Sequence, residues 1–225
     1  MYKTVVFDFD GTLFDTSEGI VKSVRYALDS FGINEPDEES LKGFIGPLLC
    51  DEFESRYGID GAKATEKFRE RYAVKGVYES RVYDGIPELV KALRAGGVHI
   101  AVASLKPAKF IRLLLEREGI LDCFDAVCGD ELDGNKITKV GMAKAALAKM
   151  GVTDVSPLTA VMVGDRYGDI MAGRECNMLT VGAKYGFSHG PEFEHSCVEI
   201  QVRNVAELSD LLLNGRRPVV LPVRK

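Results

Sequence analysis

Two aspartates one residue apart, Asp8 and Asp10, close a short β-branched and aromatic run, TVVFDF at 4–9, and lead straight into Gly11 and Thr12. A second acidic pair, Asp165 and Asp169, follows another apolar run, AVMVG at 160–164. Ser104 closes a third run, HIAVAS at 99–104, with Lys106 two residues on, and Lys139 opens the segment that precedes the AVMVG run. Where Asp8, Asp10 and Asp165 converge, each pair about 4 Å apart repels by about 4 kcal/mol at an effective dielectric of 20. Such a cluster needs a positive partner. Oxygen donors without cysteine or histidine favour a hard cation such as Mg²⁺ that keeps several waters, and Lys139 adds further positive charge. Backbone N–H groups of Gly11 and Thr12 and the Ser104 hydroxyl are candidate ligands for phosphate oxygens. A carboxylate beside a cation can act as a nucleophile and split one hard displacement into two easier steps. That role falls to Asp8, and Asp10 is placed to act as general acid and base, typically worth about 10²–10⁴-fold in rate.

The elements that must hold these side chains alternate. The runs at 4–9, 99–104, 125–129, 160–164 and 179–183, with a weaker IQV at 200–202, are continuously apolar, the mark of strands buried on both faces. Helical patterns over 87–95, 107–118, 138–150 and 205–213 lie between them, with Pro87 and Pro107 at helix starts and Gly96, Gly119 and Gly151 at helix stops. The pattern predicts an α/β fold with a mostly parallel sheet, in which ligands bind beyond the carboxyl ends of the strands. The candidate residues all lie there. Residues 16–79 break the rhythm with consecutive helices at 16–31, 38–43, 49–57 and 62–74. They read as a helical insertion directly after the first strand, with paired connectors near Asp15 and at 80–84 acting as a hinge.

Composition sets outer bounds. A chain of 225 residues with 46% hydrophobic and 28% charged residues is an ordinary folded protein, large enough for one domain with an insertion. The net charge of −5 gives no basic surface for nucleic acid. No apolar run approaches the roughly 18 residues of a membrane helix, so a cytoplasmic location is expected. Five cysteines without a CxxC pair and only three histidines argue against a Cys/His zinc site and for reduced thiols.

DFDGTLFD at 8–15, the strand ending in Ser104, Lys139, and GDRYGD at 164–169 resemble, in order, the four motifs of the haloacid dehalogenase superfamily. The likeness implies a Rossmann-like parallel-sheet core over 1–15 and 80–225 with an inserted all-helical cap over 16–79. It implies a Mg²⁺-dependent hydrolase of a small-molecule phosphomonoester that works through an aspartyl-phosphate. Asp8 would be the nucleophile and Asp10 the acid/base; Ser104, Leu105 and Lys139 would hold the phosphate; Asp8, the Asp10 carbonyl, Asp165 and Asp169 would serve the metal. The order and spacing look like the phosphoglycolate phosphatase-like branch. FIGPLL at 44–49, FRERYAVKGVYES at 68–80 and VGDRYGDI at 163–170 are similar to its bacterial 5′-nucleotidase-like members, with Leu48 standing where those carry a second proline. Phosphoglycolate and nucleoside 5′-monophosphates are therefore the leading substrates.

Several residues admit two readings. Gly46 and Pro47, with Arg69, Tyr72 and Lys75 at spacings of three along one helix face, are candidates for reading the leaving group, although a solvated face is the commoner meaning of such charges. Lys139 is preferred to Lys136 because it opens a helix facing the sheet's carboxyl edge. Arg166 suits either a surface ion pair or a contact with substrate. His189, His195, the cysteines and the basic tail RRPVVLPVRK carry no functional argument. A β-phosphoglucomutase-like phosphotransferase and a phospho-accepting receiver-type domain remain as alternatives; the inserted helices and the DxDGT element oppose the second. Monomer and dimer are both compatible with the sequence.

Overall fold

The computed structural model describes residues 2–132, 137–188, 193 and 198–216. Lys136, His189, His195, Cys197 and the tail beyond Arg216 lie outside them. In chain order the elements are β1 (Thr4–Phe7), β2 (Phe14–Asp15), α1 (Ser17–Ser30), α2 (Glu38–Lys42), α3 (Leu49–Tyr57), α4 (Gly61–Val74), β3 (Arg81–Val82), α5 (Ile86–Ala95), β4 (His99–Pro107), α6 (Ala108–Arg117), β5 (Ala126–Asp130), α7 (Lys139–Lys149), β6 (Ala160–Gly164), α8 (Tyr167–Glu175), β7 (Leu179–Ala183), β8 (Ile200–Val202) and α9 (Val205–Asn214).

Six strands form one sheet in the order β5-β4-β1-β6-β7-β8, and every pairing is parallel. The α/β parallel architecture expected from the alternating runs is therefore the fold. Both faces are covered, which is why the strands read as unbroken apolar stretches. Val6, Ala101 and Met162 face one core with Ala143, Ala146 and Leu147 of α7 and Ala172 of α8. Val5, Phe7, Ile100 and Val161 face the other, with α5, α6 and α9 supplying Leu93, Leu114 and Leu211.

Phe7 lies level with Val102 on one side and Val163 on the other. The strand order reverses at β1, where crevices open beyond the carboxyl ends of an open parallel sheet. Asp8, one residue past β1, thus emerges between the ends of β4 and β6, and its amide donates to Val163 O at 2.9 Å.

The four helices α1–α4 lie between β2 and β3, which pair antiparallel through Phe14–Val82 and Asp15–Arg81. This two-stranded ribbon was not legible as strand. Each strand is two residues long, below any periodic signal. Local chemistry sets the helix limits: Asp37 and Asp60 accept from Glu39 N and Lys63 N at their helix starts, and Gly58, at φ 64°, ends α3. α1 packs on α4 through an apolar stripe including Val24 and Leu28, in a core continuous with that of the sheet. No helix among the described residues is long and apolar enough to cross a membrane.

Candidate active site

The chain turns sharply after β1. The amides of Thr12, Leu13 and Phe14 all donate to Phe9 O, and Gly11 N donates to Phe14 O at 2.8 Å. Gly11 adopts φ +84°, and a Cβ there would lie 2.1 Å from Asp165 Oδ2. Only glycine lets the turn approach the β6 carboxylate so closely. The same bonds correct one expectation. The Gly11 and Thr12 amides are spent inside the turn, donating to Phe14 O and Phe9 O, so neither is available to an anion. The amides of Phe9 and Asp10 have no hydrogen-bond partner among the described residues. Thr12 contributes instead through its hydroxyl, which donates to Asp165 Oδ1 at 3.3 Å.

α8 is the other element that sequence periodicity missed, because YGDIMAGRE is nearly as polar on its inner as on its outer face. Its start fixes motif geometry. Asp169, in the first turn, accepts from Arg166 N at 2.9 Å, the reciprocal half of a capping box. Thr138 caps α7 and accepts from Gly141 N, which places Lys139 at the helix start.

Asp8, Asp165 and Asp169 converge. All are buried, and a carboxylate oxygen from each lies within 4.8 Å of the others. Lys139 Nζ bonds Asp8 Oδ1, pairs with Asp169 Oδ1 at 2.8 Å and reaches Ala103 O at 3.3 Å. Asp165 is fixed by Phe187 N on Oδ2 at 2.7 Å. Burial pushes the Asp8 carboxyl up to about 6, with Asp169 and Asp10 adding to the rise and Lys139 opposing it. Burial, then Asp8 and Asp169, hold Asp165 well above the usual carboxylate range. Burial alone would lower Lys139, but Asp169 and Asp8 raise it further, so it stays charged.

One ammonium thus serves a cluster of three buried carboxyl groups, and burial disfavours the ionised forms of Asp8 and Asp165. A divalent cation would offset that cost. Asp169 Oδ1 is buried and pairs with the Lys139 ammonium, so the three acids share a single cation among the described residues. The oxygen-only donor set fits a hard cation such as Mg²⁺.

Asp10 stands apart from this cluster. Its Oδ1 accepts from Thr16 Oγ1 at 2.7 Å and from Lys106 Nζ at 2.8 Å. Lys106 also donates to Tyr72 Oη at 2.6 Å. Sequence reasoning did not give Lys106 a role. β4 runs past Ser104 to Pro107 through a register irregularity after Ala103, and the side chain is only 4% exposed. Nothing in its spacing signals that bond.

A cavity of about 230 Å³ lies between the strand ends and the inserted helices. Asp8, Asp10, Ser104, Leu105 and Lys139 line its floor, and Gly46, Pro47, Leu48, Phe68, Arg69 and Tyr72 line its walls with Phe44 and Phe110. Lys75 does not reach it: it is exposed at the C-terminal end of α4, so the spacing of three holds for Arg69 and Tyr72 and breaks at the helix end. Arg166 turns to the inserted helices, donating to Ile45 O at 2.9 Å.

A parallel sheet with an acid cluster and a lysine at its switch point defines a class of phosphate-handling α/β enzymes. The haloacid dehalogenase-like hydrolase model matches residues 5–183, and the chain belongs to that family. It is 39% identical over 215 residues to a 5′-nucleotidase of Pseudomonas aeruginosa, covering 92% of this chain and 96% of the relative. It is 31% identical to the tyrosine-protein kinase PtkA of Mycobacterium tuberculosis, over 92% of this chain and 72% of that one, and 27% identical to a phosphoglycolate phosphatase of Vibrio vulnificus, over 94% and 96%. The crystal structure of a predicted phosphatase from Clostridium acetobutylicum superposes with a TM-score of 0.87 at 35% identity, covering 95% of this chain and 99% of that one. The protein is an enzyme, a phosphatase of this family.

Proposed function

We propose that the enzyme hydrolyses a small-molecule phosphomonoester, with nucleoside 5′-monophosphates as the first substrate class, through an aspartyl-phosphate on Asp8. The observation that carries this reading is the convergence of Asp8, Asp10, Ser104 and Lys139 on the floor of one cavity. An Asp8 carboxylate oxygen attacks phosphorus, the bond to the leaving oxygen breaks, and Asp10 gives that oxygen its proton. Asp10 then takes a proton from water as its oxygen attacks the acyl phosphate, which releases inorganic phosphate and restores Asp8. Ser104, the Lys139 ammonium and the unengaged Phe9 and Asp10 amides are the groups that hold the phosphoryl oxygens. Asp8, Asp165 and Asp169, with the Asp10 carbonyl, would hold Mg²⁺. The ion would supply charge neutralisation between nucleophile and phosphate.

We read residues 16–79 as a cap on a core of 1–15 and 80–225, with the β2–β3 ribbon as its hinge. Closure places apolar and aromatic walls over the phosphate and excludes water. Phe44, Phe68, Tyr72 and Phe110 suit a planar leaving group, since base–aromatic stacking is worth about 1–3 kcal/mol per base. Glycolate would leave those rings uncovered. A phosphate-release screen with Mg²⁺ across nucleoside 5′-monophosphates, phosphoglycolate and pyrophosphate tests this. Highest kcat/KM on a nucleotide is expected, and a preference for phosphoglycolate overturns the substrate class. Transfer of the phosphoryl group between hexose hydroxyls without release of phosphate would instead support a phosphotransferase.

A further inference from the structure

Lys106 is a buried ammonium with two partners from different parts of the molecule. Asp10 lies in the turn after β1, whereas Tyr72 belongs to α4 of the inserted helices. The Tyr72 ring is itself held, stacked on Phe68 at 5.1 Å between centroids and edge-on to Phe110 at 5.4 Å. At Asp10 both donors, Lys106 Nζ and Thr16 Oγ1, meet the same oxygen, Oδ1. Oδ2 has no hydrogen-bond partner among the described residues, and Asp10 lines the cavity. One carboxyl oxygen is clamped, and the other is left for proton transfer.

We propose that Lys106 is a positioning residue that joins the orientation of Asp10 to the seating of α4: the ammonium fixes Asp10 Oδ1 while the Tyr72 hydroxyl takes up its second bond. This rests on the reading of Asp10 as acid/base. A buried ammonium needs acceptors for its hydrogens, and losing one leaves a charge that must recruit water or move. With α4 seated, both acceptors are in place and the ammonium is confined. With α4 lifted, Lys106 loses Tyr72 and gains solvent, and its hold on Asp10 loosens. Proton delivery to the leaving group is then restricted to the state in which the helices cover the substrate.

The test exploits leaving-group basicity. Phenyl phosphate expels a basic oxygen that needs a proton, whereas p-nitrophenyl phosphate expels a stable anion that does not. kcat/KM is measured for both with Mg²⁺ in wild-type, Asp10→Asn, Lys106→Met, Lys106→Arg, Tyr72→Phe and the Lys106→Met/Tyr72→Phe double variant. A misplacement of about 1 Å can lower a rate by about 10²-fold. Lys106→Met is therefore expected to lose roughly 10–10²-fold on phenyl phosphate and about 3-fold or less on p-nitrophenyl phosphate, with partial rescue in Lys106→Arg. Tyr72→Phe, which keeps the ring and removes only the hydroxyl, shifts the ratio in the same direction, and the double variant is no worse than Lys106→Met alone. Equal losses on both esters, or multiplicative losses in the double variant, overturn the proposal. Where Lys106→Met does not fold, the ratio in Tyr72→Phe decides. If Asp10→Asn shows no leaving-group dependence, the acid/base reading fails and takes this inference with it; dependence in Asp10→Asn but not in the Lys106 and Tyr72 variants defeats this inference alone.

Discussion

Replacing Gly11 by alanine would test whether the turn after β1 is built around the β6 carboxylate. Gly11 has φ +84°, where a residue with a Cβ pays about 1–2 kcal/mol. The added Cβ would stand 2.1 Å from Asp165 Oδ2, and ordinary contact begins at 3.4 Å, so the carboxylate must retreat by about 1.3 Å. It has no room to do so freely. Asp165 is fully buried and tied through Oδ2 to Phe187 N at 2.7 Å. Overpacking of this sort adds about 1–3 kcal/mol. The combined loss of about 2–5 kcal/mol corresponds to a Tm drop of roughly 4–20 °C for a chain of this size. Because Asp165 belongs to the acid cluster, kcat/KM should fall by about 10²-fold or more, and the Mg²⁺ concentration for half-maximal activity should rise. Thermal melts in EDTA and in Mg²⁺, with phosphate release measured over a Mg²⁺ series, read all three quantities. Gly32→Ala is the control: φ is +73° but nothing lies within 4 Å of its Cβ, so it keeps full activity and loses only the backbone contribution. A Gly11→Ala enzyme with wild-type Tm, kcat/KM and Mg²⁺ response would mean that the turn is not built around the Asp165 carboxylate.

Asp8→Asn should abolish turnover and any acid-trapped phosphoenzyme, and near-normal steady-state activity would remove Asp8 as nucleophile. Asp10→Ala should lower kcat/KM on an alkyl phosphomonoester by about 10²–10⁴-fold. Mg²⁺ at 100 times its Kd should stabilise the fold by about 2.7 kcal/mol, a Tm rise of roughly 5–10 °C over EDTA-treated protein; an unchanged melt and an EDTA-insensitive rate would dismiss the metal. Glu79, held below the ordinary carboxylate range by hydrogen bonds from Arg71, with Lys22 assisting, contributes stability that is present above about pH 4.5 and is lost as pH falls through its lower folded value. Urea denaturation in EDTA should show Glu79→Gln weaker than wild type by on the order of 1 kcal/mol at pH 7, with the gap closing below pH 4; a gap that widens in acid contradicts the pairing.

The sequence carried much of the fold because burial on both faces of the sheet leaves an unambiguous signal. The runs around Val6, Val102 and Val163 are strands in the structure. Elements with no such signal escaped: the β2–β3 ribbon is held by its neighbours, and α8 has little amphipathic character. Lys75 failed for a different reason. A spacing of three keeps residues on one face only while the helix lasts, and α4 ends at Val74.

The chemical types at the strand ends, with acids after two strands, serine after a third and a lysine opening the helix before the second acidic strand, are legible in the sequence alone, because those positions are read from periodicity and order. Which amides the turn after β1 leaves unengaged, which oxygen of Asp10 is clamped and that Lys106 joins it to Tyr72 emerge only from the folded chain. The Lys106 contacts span 96 residues of chain to Asp10 and 34 to Tyr72. They depend on where the turn after β1 spends its hydrogen bonds and on how α4 settles against β4, and neither leaves a local trace in the sequence.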